Sequence, residues 1–290
     1  MRLSCADYTW PLLPHGAALD LVRALGCEAV DLGFMSLRSH VRPEHAHGSV
    51  QATAGAVRER VQSRHLLVAD VFAIPATDFE TMSANNPDAG EQERSLDFFR
   101  DAVEFAATVG SPGITTLPGI AFDGDSFGDA LTRSADGLSR RVEMAAVRGL
   151  VVSVEPHTGS LIDTPDKTLQ LLDRVPGLQV TLDYAHYIYG GVSQSEADAV
   201  LPHARHLQCR PGRPGALQVR VVEDAIDWAA VVRALHLGGY QGYLALEYTW
   251  QEWLDCNRVD TVAESALLRD VLLAADAVQA PTGAASGAAG

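Results

Sequence analysis

A single eight-stranded α/β barrel, a (β/α)8 TIM barrel, is the fold this sequence predicts, from three observations. Short apolar strands alternate with helices of ordinary length, the alternation repeats eight times, and the length suits one such domain. The chain has 290 residues, and barrels of this class commonly need about 250. Strands that alternate with helices pair in parallel, because each crossover helix covers a face of the sheet. An open doubly wound sheet is the competing arrangement. It lacks local support, since no GxGxxG or GxxxxGKS/T stretch follows any strand.

The first strand is expected over residues 3–8, with an amphipathic helix over 17–25 closed by Gly26 at the position favoured for positive φ. The second strand, 29–32, leads through a polar loop to a helix over 50–64. A third strand, 66–74, precedes a long polar loop at 75–92 and a helix over 93–109. Strand four spans 113–117 and is followed by a long helix, 126–148. Strand five spans 150–155, and Thr164-Pro165 read as an N-cap with proline at N1 of a helix over 164–174. Strand six is expected over 179–182, with a helix near 194–201. Strand seven, 205–209, runs into a Pro/Gly-rich loop before a helix over 228–236 that ends at Gly238-Gly239. Strand eight spans 243–247, and the last helix 261–275. The barrel domain is placed at 1–278, and the Ala/Gly/Ser-rich tail at 279–290 is expected to be disordered.

Composition narrows the function classes. A formal net charge of −15 opposes a nucleic-acid partner, whose phosphates need clustered Lys and Arg, and equally opposes an anionic membrane. No apolar run approaches the roughly 18 residues of a membrane span, and residues 1–20 show no charged head before an apolar stretch. The cysteines Cys5, Cys27, Cys209 and Cys256 are far apart and form no CxxC pair, so neither a disulfide framework nor a zinc knuckle is indicated. A cytoplasmic location is the expectation.

Active sites of such barrels lie at the C-terminal ends of the strands. There the apolar runs end in polar residues: Val151-Val152-Ser153-Val154 runs into Glu155-Pro156-His157, and Val180-Thr181-Leu182 into Asp183 with His186 three residues on. His206 lies within Arg205-His206-Leu207-Gln208, and Leu244-Ala245-Leu246 runs into Glu247. Singly, each is more often an N-cap or a surface group. Together they put like charges on one rim, which is costly without a cation. Three carboxylates and an imidazole suit Mn²⁺, Mg²⁺, Co²⁺ or Fe²⁺ better than a thiolate-rich zinc site does.

At these residues the sequence resembles the xylose isomerase-like TIM-barrel superfamily, the D-tagatose 3-epimerase-like sugar phosphate isomerases and epimerases. The resemblance is carried by Val154-Glu155-Pro156-His157, Leu182-Asp183-Tyr184-Ala185-His186, Arg205-His206-Leu207-Gln208 and Gly239-Tyr240-Gln241-Gly242-Tyr243-Leu244-Ala245-Leu246-Glu247-Tyr248. It implies one divalent metal, Mn²⁺ foremost with Mg²⁺ or Co²⁺ as alternatives, held by Glu155, Asp183, His206 and Glu247. It further implies that His186 contacts a substrate oxygen, and that Arg210 or Arg213 does the same. The chain also departs from the pattern. Gln208-Cys209-Arg210-Pro211-Gly212 stands where many relatives carry an acidic residue after the strand-7 histidine.

The expected activity is a metal-dependent isomerase or epimerase acting on a sugar, keto-sugar or cyclitol, with Glu155 and Glu247 as acid/base pair. His157, two residues beyond Glu155, faces the same cavity in this reading, and Trp250, three beyond Glu247, is a candidate apolar wall. The same intermediate with a β leaving group would give a lyase, such as an inosose-type dehydratase or a 3-keto C-glycoside-cleaving enzyme. A non-catalytic partner subunit is the remaining alternative. The resemblance implies a homo-oligomer, and the Trp-containing loop 250–260 is a candidate interface.

Overall fold

The computed structural model describes residues 1–279. Eight parallel strands close a barrel in chain order. They are β1 Arg2–Ala6, β2 Ala29–Met35, β3 Leu67–Ile74, β4 Gly113–Thr116, β5 Val151–Val154, β6 Gln179–Asp183, β7 Ala204–Cys209 and β8 Tyr243–Leu246. β2 is buried at every position, as expected of a strand with the barrel interior on one side and helices on the other. The helices do the covering with one face each. In Phe127–Ala146, Leu131, Ala135, Leu138 and Ala145 recur at helical spacing and are buried, and Ser126 caps the first turn by accepting from the Asp129 amide.

Local chemistry explains where element bounds differ from the sequence reading. The helix after β3 begins at Ala89 because Asp88 caps it through the Glu91 amide, and it ends at Gly110 with φ 82°. The helix expected over 194–201 is one turn, Gln194–Ala197, followed by a 3-10 segment, Asp198–His203. An additional helix, Tyr184–Tyr189, starts directly at the end of β6, where Asp183 accepts from the Ala185 amide. Of the tail expected over 279–290, Gln279 closes the last helix and the rest lies outside the described residues. Among the described residues no helix is long and apolar enough to cross a membrane, and all four cysteines are buried and unpaired.

The lower barrel interior is polar. Between β6 and β7, Val180 faces Ala204 but Thr181 faces His206, so Arg205 is the extra residue of a β-bulge. Its side chain reaches across to β3 and β5: Nη2 donates to Asp70 Oδ1 at 2.7 Å and to Ser153 Oγ at 2.7 Å. Gly113 makes room for it, since a Cβ there would lie 2.8 Å from the Arg205 Cζ and 2.5 Å from the Val151 carbonyl oxygen. Burial raises the pKa of Asp70, and Arg205 opposes that shift. The Thr115 hydroxyl donates to Asp70 and lies 2.6 Å from that of Thr181. Removing one member of a buried ion pair strands the other. Arg205→Met is therefore expected to lower stability by about 3–5 kcal/mol in urea unfolding, and adding Asp70→Asn to recover part of that loss.

Candidate active site

Glu155 and Glu247 immediately follow β5 and β8, and Asp183 ends β6. All three are at most 3% exposed, and one carboxylate oxygen from each lies within 4.8 Å of the others. Pleating places inward-facing residues two apart. On β7 these are His206 and Gln208, and the register sets Asp183 opposite Gln208 and Thr181 opposite His206. His206 thus sits one step deeper than the carboxylates. Its Nε2–H donates to Asp31 Oδ2 at 2.5 Å, and the expectation that it completes the ligand set is corrected. Gln208 occupies that level. The register rule contained the signal, but an imidazole is the more familiar ligand and drew the assignment two residues too early.

Gln208 Nε2 donates to the Tyr8 hydroxyl at 3.0 Å and to Glu247 Oε1 at 3.2 Å, and the Tyr8 hydroxyl donates to the same Oε1 at 3.1 Å. Burial raises the pKa of Glu155 and raises that of Glu247 well above the carboxylate range. Arg210 supplies the counter-charge. Its Nη2 pairs with Asp183 Oδ2 and lies 3.8 Å from Glu247 Oε2. Desolvation works against its charge, but Asp183 and Glu247 outweigh that effect and its pKa is raised. Arg213 takes no part. It is exposed, in a turn closed by reciprocal backbone hydrogen bonds with Ala216.

Two imidazoles stand beside the carboxylates, with His157 and His186 ring centroids 4.0 Å apart. One residue touches both rings through its backbone. The Thr158 amide donates to His186 Nδ1 at 3.1 Å, and His186 Nε2 lies 3.0 Å from the Arg210 guanidinium, 3.5 Å from Glu155 Oε1 and 3.6 Å from Asp183 Oδ2, so both ring nitrogens face donors. The Thr158 carbonyl, 2.7 Å from His157 Nδ1, can only accept, which leaves Nε2 of His157 as the bare acceptor. Burial lowers the pKa of His186 to about 3, so its ring is neutral. The short helix after β6 sets the position of His186, and Trp253 stacks on His157 at 5.1 Å. Trp253 is held there by a loop in which Leu254 and Asp255 are both left-handed, at φ 50° and 59°.

These groups form the floor of a cavity of about 370 Å³ that also takes in Trp250 and Trp253, a size usual for a small-molecule site. The donor set fits a hard divalent cation. Glu155 Oε2, Glu247 Oε2 and Gln208 Oε1 are all buried without a hydrogen-bond partner, and one guanidinium cannot neutralise three carboxylates. Oxygen-only donors favour Mg²⁺ or Mn²⁺. Among the described residues a second group that could hold a metal, Glu155, His157 and His186, overlaps the first at Glu155.

Solved structures with the same fold include a D-tagatose 3-epimerase-like protein, at 17% identity and TM-score 0.74 over 96% of this chain and 99% of that one. An IOLI protein with a bound zinc atom aligns at 16% identity and TM-score 0.72 over 96% and 99%. A probable 3-DHS dehydratase from Bacillus anthracis aligns at 16% identity and TM-score 0.69 over 94% and 99%. At these identities the likeness concerns the fold. No curated protein sequence matches this chain. The family model described as xylose isomerase-like TIM barrel, however, matches residues 19–271, and this chain belongs to that family.

Proposed function

We propose that this chain is a divalent-metal-dependent isomerase or epimerase that moves a proton on carbon beside a carbonyl of a sugar, keto-sugar or cyclitol. One observation carries the reading: Glu155, Asp183 and Glu247 converge, buried, and Glu155 Oε2, Glu247 Oε2 and Gln208 Oε1 have no hydrogen-bond partner. These four residues would hold the ion, and Mn²⁺ is the species we would load first. When bound, the ion polarises the substrate carbonyl and makes the neighbouring C–H more acidic.

The chain's own residues do the rest. Glu155 and Glu247 enter the cavity from β5 and β8, so one can remove the proton and the other return it, to the opposite face or to the adjacent atom. The bare Nε2 of His157 accepts from a substrate hydroxyl, and His186 lies against it in the cavity wall, within reach of a substrate oxygen. Arg210 orients Asp183 and adds a fixed positive charge where negative charge develops. Loss of a β leaving group from the same intermediate would give the lyase outcome.

Two measurements test this. In deuterated water with Mn²⁺, a panel of ketoses, inososes and 3-keto glycosides should contain a compound that takes up deuterium at the α-carbon. Glu155→Gln and Glu247→Gln should each slow that exchange by about 10²- to 10⁴-fold. Wild-type exchange in both variants would refute the acid/base assignment. Second, Arg210→Ala leaves Asp183 unpaired and should destabilise the metal-free protein by about 3–5 kcal/mol. Added Mn²⁺ should restore much of the lost thermal stability by binding the folded state. If Mn²⁺ shifts neither the wild-type nor the variant melting temperature, the carboxylate cluster is not a metal site.

A further inference from the structure

The inward positions of the barrel strands fall into two chemically opposite sets, above which the loops after β2 and β3 add Arg38, Ser39, Arg42, Thr77 and Asp78 to the cavity lining. On the β5–β8 side the polarity rises toward the rim, with Ser153 then Glu155, Thr181 then Asp183, and Ala245 then Glu247 at successive inward positions. On the β2–β3 side it falls. The inward series reads Asp31, Gly33, Met35 on β2 and Asp70, Phe72, Ile74 on β3. Tyr8, Met35 and Phe72 make an apolar cluster separate from the main core, with Ile74 and Leu117 packed against it. These five residues line the same cavity as Glu155 and Glu247. The ring of Phe72 meets Tyr8 edge-on at 6.3 Å. Tyr8 directs its hydroxyl to Glu247, so only its ring faces the cluster.

A free sugar carries hydroxyls around most of its ring. A hydroxyl pressed against Met35, Phe72, Ile74 or Leu117 would lose water and gain no hydrogen bond from those side chains, which weakens binding. An apolar group in the same place gains by leaving water. We propose that the natural substrate is a conjugate. Its oxygenated keto ring reacts on the β5–β8 floor, and an attached apolar group of about aromatic-ring size packs on the wall of Met35, Phe72, Ile74 and Leu117. This rests on the proposed carbonyl-adjacent proton transfer for the ring, and on the wall alone for the attached group.

The test uses the full chain loaded with Mn²⁺ and two probes, methyl and phenyl 3-keto-glucosides, with affinity from calorimetry and chemistry from deuterium uptake. The phenyl compound should bind tighter by on the order of tenfold or more. Leu117→Asn places an amide on the half-buried part of the wall, and it should collapse the phenyl-to-methyl affinity ratio toward one. Because Leu117 lies beyond the end of β4, this variant is the one least exposed to folding defects. A thermal melt establishes that it folds, and Ile74→Asn provides a second reading of the same ratio. Equal affinities in the wild type, or a ratio unchanged in both folded variants, would overturn the conjugate. Exchange without a phenyl preference would do so while leaving the proton-transfer reading standing. A phenyl preference with no exchange would support the wall and count against the reaction.

Discussion

Three carboxylates in one buried volume are the constraint to which this molecule responds. At an effective dielectric of about 20, two unit charges 4.8 Å apart repel by roughly 3–4 kcal/mol, and three such groups repel pairwise. Each neighbouring feature relieves part of that cost. The Arg210 guanidinium pairs with Asp183 and leans toward Glu247. Tyr8 and Gln208 both donate to one oxygen of Glu247. Burial pushes Glu155 and Glu247 toward their protonated forms. The oxygens left without partners are where a further cation would complete the balance.

The barrel beneath the site is unusual in what fills it. Branched apolar residues dominate the interior layers of most such barrels. Here Arg205, Asp70, Ser153, Thr115 and Thr181 form a connected hydrogen-bonded layer, and His206 and Asp31 form a pair beside it. Polar networks hold side chains in one arrangement when every member is satisfied. Glu155 and Asp183 stand directly above Ser153 and Thr181 of this layer, Gln208 stands above His206 of the adjoining pair, and all three therefore inherit a fixed footing. The bulge at Arg205 gives the layer its cation, and it also sets which β7 residues face the site.

Most of the barrel was legible because strand and helix periods differ so plainly. β3 was placed within one residue of its bounds, Leu67–Ile74, by its run of apolar residues. The failures have local causes. The helix at Tyr184–Tyr189 is too short to show a helical period, and its cap is a residue already assigned to the strand end. At the site, Glu155, Asp183 and Glu247 were visible as acidic ends of apolar runs. His206 and Gln208 both satisfy the alternation of β7, and residue type cannot say which lies at the level of Asp183. Only the pairing with β6, bulge included, decides it. Arg213 was offered equally with Arg210, and the tight turn at Arg213–Ala216 that removes it from the cavity depends on tertiary packing.

The peptide units around Thr158 carry a consequence of a different kind. Their amide and carbonyl, rather than a side chain, hold two imidazoles side by side: the amide donates to His186 Nδ1 and the carbonyl accepts from His157 Nδ1. Every amino acid except proline brings the same two backbone groups, so the seating of both rings is insulated from mutation at that position. Drift in the surrounding sequence can reshape the cavity walls freely while these two contacts persist. To unseat the histidines, evolution would have to rebuild the path of the loop, which Gly159 turns at φ 83°. Specificity in this barrel is therefore cheap to change, and the placing of its paired imidazoles is not.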